Sequence, residues 1–143
     1  MDISIIIFLL GGLFLGWSLG ANDAANVFGT AVGTRMVRFK TAAIVCSIFV
    51  ILGAIISGSG TTETLGKLGA INALPGAFAA CVAAGVSVYL MTKAGLPVST
   101  TQAIVGAIVG WNLYTGSDTN IRVLITILGT WVLCPVIAGV IAM

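Results

Sequence analysis

Few residues in this chain could do chemistry, and most of them fall in two short stretches. The first, Asn22-Asp23-Ala24-Ala25-Asn26, sets one carboxylate and two carboxamides just after eighteen uncharged residues, Ile3 to Gly20. An ionisable group in such a setting costs about 2.5–3.5 kcal/mol on membrane-insertion scales, so it usually marks an ion or substrate path and needs a partner. The second, Ser99-Thr100-Thr101-Gln102, would gather hydroxyls and unpaired N–H groups at the positive end of a helix, which is how helix starts hold anions. Asn22, Asp23 and Asn26 offer hard oxygens suited to a cation. Ser99, Thr100, Thr101 and Gln102 offer donors suited to an anion. A third candidate is Glu63, a carboxylate beside Lys67 that would meet cations first if it lay at an outer mouth.

Other chemistry has little to stand on. The chain has no histidine and no Cys-x-x-Cys, so neither a zinc site nor a hydrolase triad has its usual parts. Cys46, Cys81 and Cys134 each lie inside an apolar run and read as core-filling side chains. A net charge of +2, scattered along the chain, does not suggest a nucleic-acid partner. No enzyme is expected, and no cofactor.

The elements that must position these residues are membrane helices. Hydrophobic residues make up 59% of the chain and charged ones 7%, with a mean hydropathy of +1.18, whereas an ordinary soluble domain is about 25% charged. The long uncharged runs indicate helices in a lipid bilayer, not a barrel whose strands alternate. Asp2 argues against a cleaved signal peptide, whose first residues should be basic. As one straight helix, Ile3 to Thr34 would run to roughly 48 Å against a hydrocarbon core of about 30 Å. A break at Gly20 is therefore expected within residues 1–34, giving two half-helices that meet at a polar joint carrying Asp23. The alternative is a simple span with Asp23 in a solvated loop beyond it.

Arg35, Arg38 and Lys40 make the next loop cytoplasmic by the positive-inside rule and place the N-terminus outside. Residues 41–57 then form a second span, and the glycine-rich 58–76 reads as an outer loop containing Glu63. From Ala77 the chain is apolar to Met91. There Lys93, Gly95 and Pro97 give the stop signals of a helix, and Ser99 with Gln102 forms a capping box that starts another. Each leg of residues 77–114 is about 12–16 residues, roughly 18–24 Å, too short to cross. The pair reads as a re-entrant helical hairpin with its tip, Gly95 to Gln102, at membrane depth; two thin spans are the alternative. Residues 115–122 form a polar outer loop and 123–143 a last span that stops inside an apolar run, which suggests half of a larger assembly. Glycines spaced by four (Gly12, Gly16, Gly20) provide close helix packing. Lys93 compensates a helix dipole or snorkels.

The two motifs resemble a family. Gly20-Ala21-Asn22-Asp23-Ala24-Ala25-Asn26, with Phe28-Gly29-Thr30-Ala31-Val32-Gly33-Thr34-Arg35, is similar to the signature of the inorganic phosphate transporter (PiT) family of ion-coupled phosphate symporters. Pro97-Val98-Ser99-Thr100-Thr101-Gln102-Ala103-Ile104-Val105-Gly106-Ala107 is similar to its second motif, with Gln102 where the family commonly has histidine. The resemblance implies an all-α membrane protein forming one half of an inverted-repeat transporter in the cell membrane. Ser99, Thr100, Thr101 and Gln102 would bind phosphate, Asn22, Asp23 and Asn26 would bind sodium, and a second inverted repeat or subunit would complete the site. Proton coupling, another oxyanion such as sulfate, and a non-transporting assembly subunit are the competing readings.

Overall fold

The computed structural model describes residues 3–69 and 74–143, and among these five α-helices and no strands are found. The expected position of Met1 and Asp2, and residues 70–73 of the expected outer loop, lie outside the described residues. The helices are α1 (Ile3–Gly33), α2 (Phe39–Leu68), α3 (Leu74–Lys93), α4 (Thr100–Thr115) and α5 (Ile121–Ile141). Four of them, α1, α2, α3 and α5, are long and apolar enough to cross a membrane. The protein is a multi-pass helical membrane protein.

The expected break in the first helix does not occur. α1 is continuous through Gly20 for 31 residues, about 46 Å at 1.5 Å per residue. The reason is local: Asn26 donates to Asn22 Oδ1 at 3.1 Å across one helical turn. The polar side chains thus bond each other along the helix instead of satisfying an opened backbone. α2 likewise runs on where a loop was expected, so residues 58–68 are helical. There Thr62 and Thr64 bond back to Gly58 and Gly60 carbonyls, and Glu63 pairs with Lys67 one turn on. Buried Leu68 then anchors the end of α2 in the core.

That core consists of Leu68, Ala80, Val105 and Ile108, joining α2, α3 and α4, with Val123, Leu124 and Trp131 of α5 against it. Beside it, fully buried Asn112 donates to Thr119 Oγ1 at 2.9 Å, and the Asn120 N–H donates to Leu68 O at 3.0 Å. The loop between α4 and α5 is thereby fastened to the end of α2. Asn120 caps α5 by accepting from the Val123 N–H.

α1 and α3 run side by side in the same direction. Phe8 meets Phe78, Ser18 donates to Gly85 O at 3.2 Å, and Asn22 meets Thr92. A side chain at Gly85 would strike Phe14 at 2.7 Å, so glycine permits this approach. α3 has 20 residues, more than the short leg expected, and at about 30 Å can cross by itself. It ends in a Schellman motif: Leu96 N–H bonds Met91 O, Gly95 N–H bonds Thr92 O, and Gly95 has φ 70°. α4, 16 residues long, returns beside it toward the Asn112 end. The hairpin tip lies level with Asp23, about ten residues or 15 Å short of the end of α1.

Candidate functional site

The two polar stretches meet. Thr100, 5% exposed, donates its hydroxyl to Asp23 Oδ1 at 3.2 Å. Thr100 is the first residue of α4, and Ser99 before it accepts the Gln102 N–H at 3.3 Å as the N-cap. The capping half expected of Ser99 is therefore present. Asp23 therefore meets the start of α4, whose positive end favours a nearby negative charge.

Behind this contact lies a chain of oriented amides. Asn22, 5% exposed, donates to Thr92 Oγ1 at 2.9 Å, Thr92 donates to Val88 O at 2.8 Å, and Asn26 donates to Asn22 Oδ1. One lone pair of Asn22 Oδ1 is thus already used, whereas the Asn26 carbonyl oxygen accepts no hydrogen bond among the described residues. Ser18, 1% exposed, fixes the same face one turn earlier through Gly85 O. Ser18 and Thr92 were not singled out from the sequence. Ser18 had a signal: Ser18, Asn22 and Asn26 recur every four residues and form one polar stripe on α1. Thr92 had none, because threonines that only bond back to their own helix are frequent in this chain, as at Thr62, Thr64, Thr126 and Thr130.

The other expected donors separate. One residue of helix turns a side chain by about 100°, so Thr101 points away from Asp23. It lines a second cavity of 280 Å³ with Thr61, Thr64, Thr130 and Trp131, between α2, α4 and α5. Gln102 is exposed and its backbone N–H is committed to the cap. Glu63 lies on the exposed side of α2 in an ion pair with Lys67, not beside Asp23. Lys93 stands 5.5 Å over the Tyr89 ring, a cation–π contact at the end of α3. Among the described residues no group of His, Cys, Asp or Glu could hold a metal ion by clustering.

Asp23 also lines a cavity of 790 Å³ between α1 and α2, whose walls are almost wholly apolar. The carboxylate is therefore shared between a helix start on one side and an open groove on the other.

Comparison with known proteins agrees with these motifs. The family model described as "Phosphate transporter family" matches residues 19–143. The "Putative phosphate permease" of Thermococcus kodakarensis is 35% identical over 99% of this chain and 37% of its own length. A protein of the same name from Pyrococcus abyssi is 36% identical over 99% of this chain and 38% of its own length. The "Sodium-dependent phosphate transporter" of Plasmodium falciparum is 35% identical over 88% of this chain and 20% of its own length. This chain thus spans little more than a third of the archaeal relatives it matches, and no solved structure matches it significantly. With both motifs inside the matched region and in contact in space, the chain belongs to the phosphate transporter family.

Proposed function

We propose that this chain forms one repeat of an ion-coupled inorganic phosphate symporter, with sodium as the coupling ion and a second repeat or subunit completing the path. The observation that carries the reading is the Asp23–Thr100 contact, which joins a half-buried carboxylate to the start of a helix. In the unloaded state Asp23 holds the α4 N-terminus through Thr100. A sodium ion at Asp23, with the Asn26 carbonyl and the remaining Asn22 lone pair as neutral ligands, neutralises the carboxylate and frees the helix start for phosphate. Ser99, Thr100 and the first N–H groups of α4 then contact the phosphate oxygens; Thr101 and Gln102 reach them only after the tip turns.

The coupling is electrostatic. A bare carboxylate and an anion 4 Å apart repel by about 4 kcal/mol at an effective dielectric of 20, and a cation between them removes that penalty. Each ligand therefore raises the affinity of the other, which is the requirement for cotransport. Phosphate is preferred to sulfate because monohydrogen phosphate carries an O–H that a carboxylate can accept. Glu63 as an outer cation contact would first have to leave Lys67. The Arg35-to-Lys40 loop faces the cytoplasm of a cell membrane and the N-terminus faces outside.

The test is uptake of labelled phosphate into liposomes holding the complete assembly, with and without an inward sodium gradient. Sodium-driven uptake lost in Asp23→Asn supports the mechanism. Uptake indifferent to sodium and to Asp23→Asn refutes it, and no phosphate uptake at all favours a non-transporting assembly subunit.

A further inference from the structure

The second cavity, 280 Å³ between α2, α4 and α5, lies at the depth of the membrane core. Trp131, which lines it, stands at the midpoint of α5, a 21-residue helix that can cross a bilayer by itself, and so lies about 15 Å from either end of that span. The apolar part of the lining, Val105 and Trp131 among it, belongs to the core or packs against it. The polar part is four threonines, Thr61, Thr64, Thr101 and Thr130, and no charged residue takes part.

The four hydroxyls are not alike. Thr64 donates to Gly60 O at 2.9 Å and Thr130 to Ile127 O at 2.7 Å, so their protons are spent on their own helices and only lone pairs remain for the cavity. Thr61 and Thr101 donate to no acceptor among the described residues. Thr101 has no helical carbonyl one turn back, because Pro97 precedes α4. The lining thus offers four accepting oxygens and two hydroxyls still able to donate. A hydroxyl in hydrocarbon without a partner is costly, and lipid chains filling the space would leave Thr61 and Thr101 in that state. An ion is a poor occupant, since no charged side chain in the lining balances it. Water meets every requirement: it donates to Thr64 and Thr130, and both donates to and accepts from Thr61 and Thr101. A cavity of this volume holds several water molecules.

We propose that the α2–α4–α5 cavity is a hydrated compartment at membrane depth, its water bound by Thr61, Thr64, Thr101 and Thr130. The consequence falls on the start of α4, where Thr100 meets Asp23 on one flank and Thr101 meets the water on another. The first turn of α4 then separates a carboxylate from a pool of water. On the phosphate reading, Thr101 stays solvated while it is turned away from Asp23, so a turn toward the ligand exchanges one hydrogen-bonded setting for another. The compartment itself does not depend on transport.

The experiment is labelling with N-ethylmaleimide in native membranes, using Thr61→Cys, Thr101→Cys and Val132→Cys, each in a protein carrying Cys46→Ala, Cys81→Ala and Cys134→Ala. Maleimide reacts with the thiolate, which forms only where water reaches the sulfur. Val132 follows Trp131 on α5, is 68% exposed and does not line the cavity, so it gives the reference rate at the same depth. Thr61→Cys and Thr101→Cys should label at least tenfold faster than Val132→Cys; equal rates overturn the proposal. Hydroxyl-radical footprinting of the unaltered protein covers the case in which these variants do not fold. Trp131 should be oxidised several-fold faster than Trp17, which is also near mid-helix and is the more exposed of the two. A Trp131 oxidised no faster than Trp17 overturns the proposal. Both measurements run without transport, so their failure leaves the phosphate reading standing, and absent phosphate uptake leaves the water compartment standing.

Discussion

Gly69→Ala gives a sharp test of how α4 is held, because its effect can be worked from the geometry. Gly69 has φ −167° and ψ 174°, an extended conformation open to any residue, so the substitution strains no backbone. Its cost is steric: a Cβ there would stand 2.1 Å from Asn112 Nδ2 and 2.7 Å from Oδ1. Asn112 is fully buried and cannot swing into solvent. Over-packing costs about 1–3 kcal/mol, and displacing Asn112 from Thr119 adds about 1 kcal/mol for the lost hydrogen bond. A total of about 2–4 kcal/mol corresponds to a fall in melting temperature of about 4–16 °C for a chain of this size. Asn112→Ala should restore the space. Alone it loses the bond to Thr119 but also removes an oxygen, Oδ1, that has no partner among the described residues, so its own effect should stay within about 1 kcal/mol. Thermal unfolding of the purified protein in detergent, across wild type, both single variants and the double variant, measures the coupling. The reasoning fails if Gly69→Ala melts with wild type, or if the double variant is as unstable as the sum of the singles.

Four further outcomes are expected. Thr100→Val should reduce sodium-driven phosphate uptake by about 10- to 150-fold, the worth of a hydrogen bond to a charged group, with Thr100→Ser restoring most of it; unchanged uptake would deny the Asp23 contact any role. Asn22→Leu, removing the bonds to Thr92 and Asn26, should destabilise by about 1–3 kcal/mol in the same melting assay. Ser99→Ala should cost about 1 kcal/mol as a lost helix cap while Ser99→Gly costs a few tenths, and a much larger rise in the KM for phosphate than this allows would mark Ser99 as a direct ligand. Glu63→Gln should shift the sodium half-saturation of uptake by no more than about fivefold, because Lys67 already neutralises an exposed carboxylate.

The sequence and the structure agree where a signal is local. Gly95 ends α3 in the left-handed conformation, Ser99 caps α4, and the charged loop follows α1, because each depends on residues within one turn of itself. They differ where a distant partner decides. Gly20 looked like a break because helix length was set against bilayer thickness, yet the Asn22–Asn26 bond and the packing on α3 keep it helical. Residues 58–68 looked like a loop from their glycines, and Leu68 reverses that by entering a core assembled from α3 and α4. Within the site, Thr100 and Thr101 are chemically alike and adjacent. Only the position of α1 reveals that one faces Asp23 and the other a different cavity.

The two ends of α4 are secured very unequally. At the Asn112 end the helix is wedged among three neighbours and tied through the following loop; at the other, among the described residues, one 3.2 Å hydrogen bond reaches α1. Such a rod behaves as a lever with its fulcrum at the packed end. A tilt of about 10° over its 24 Å length carries the free end some 4 Å, enough to admit a dehydrated ion.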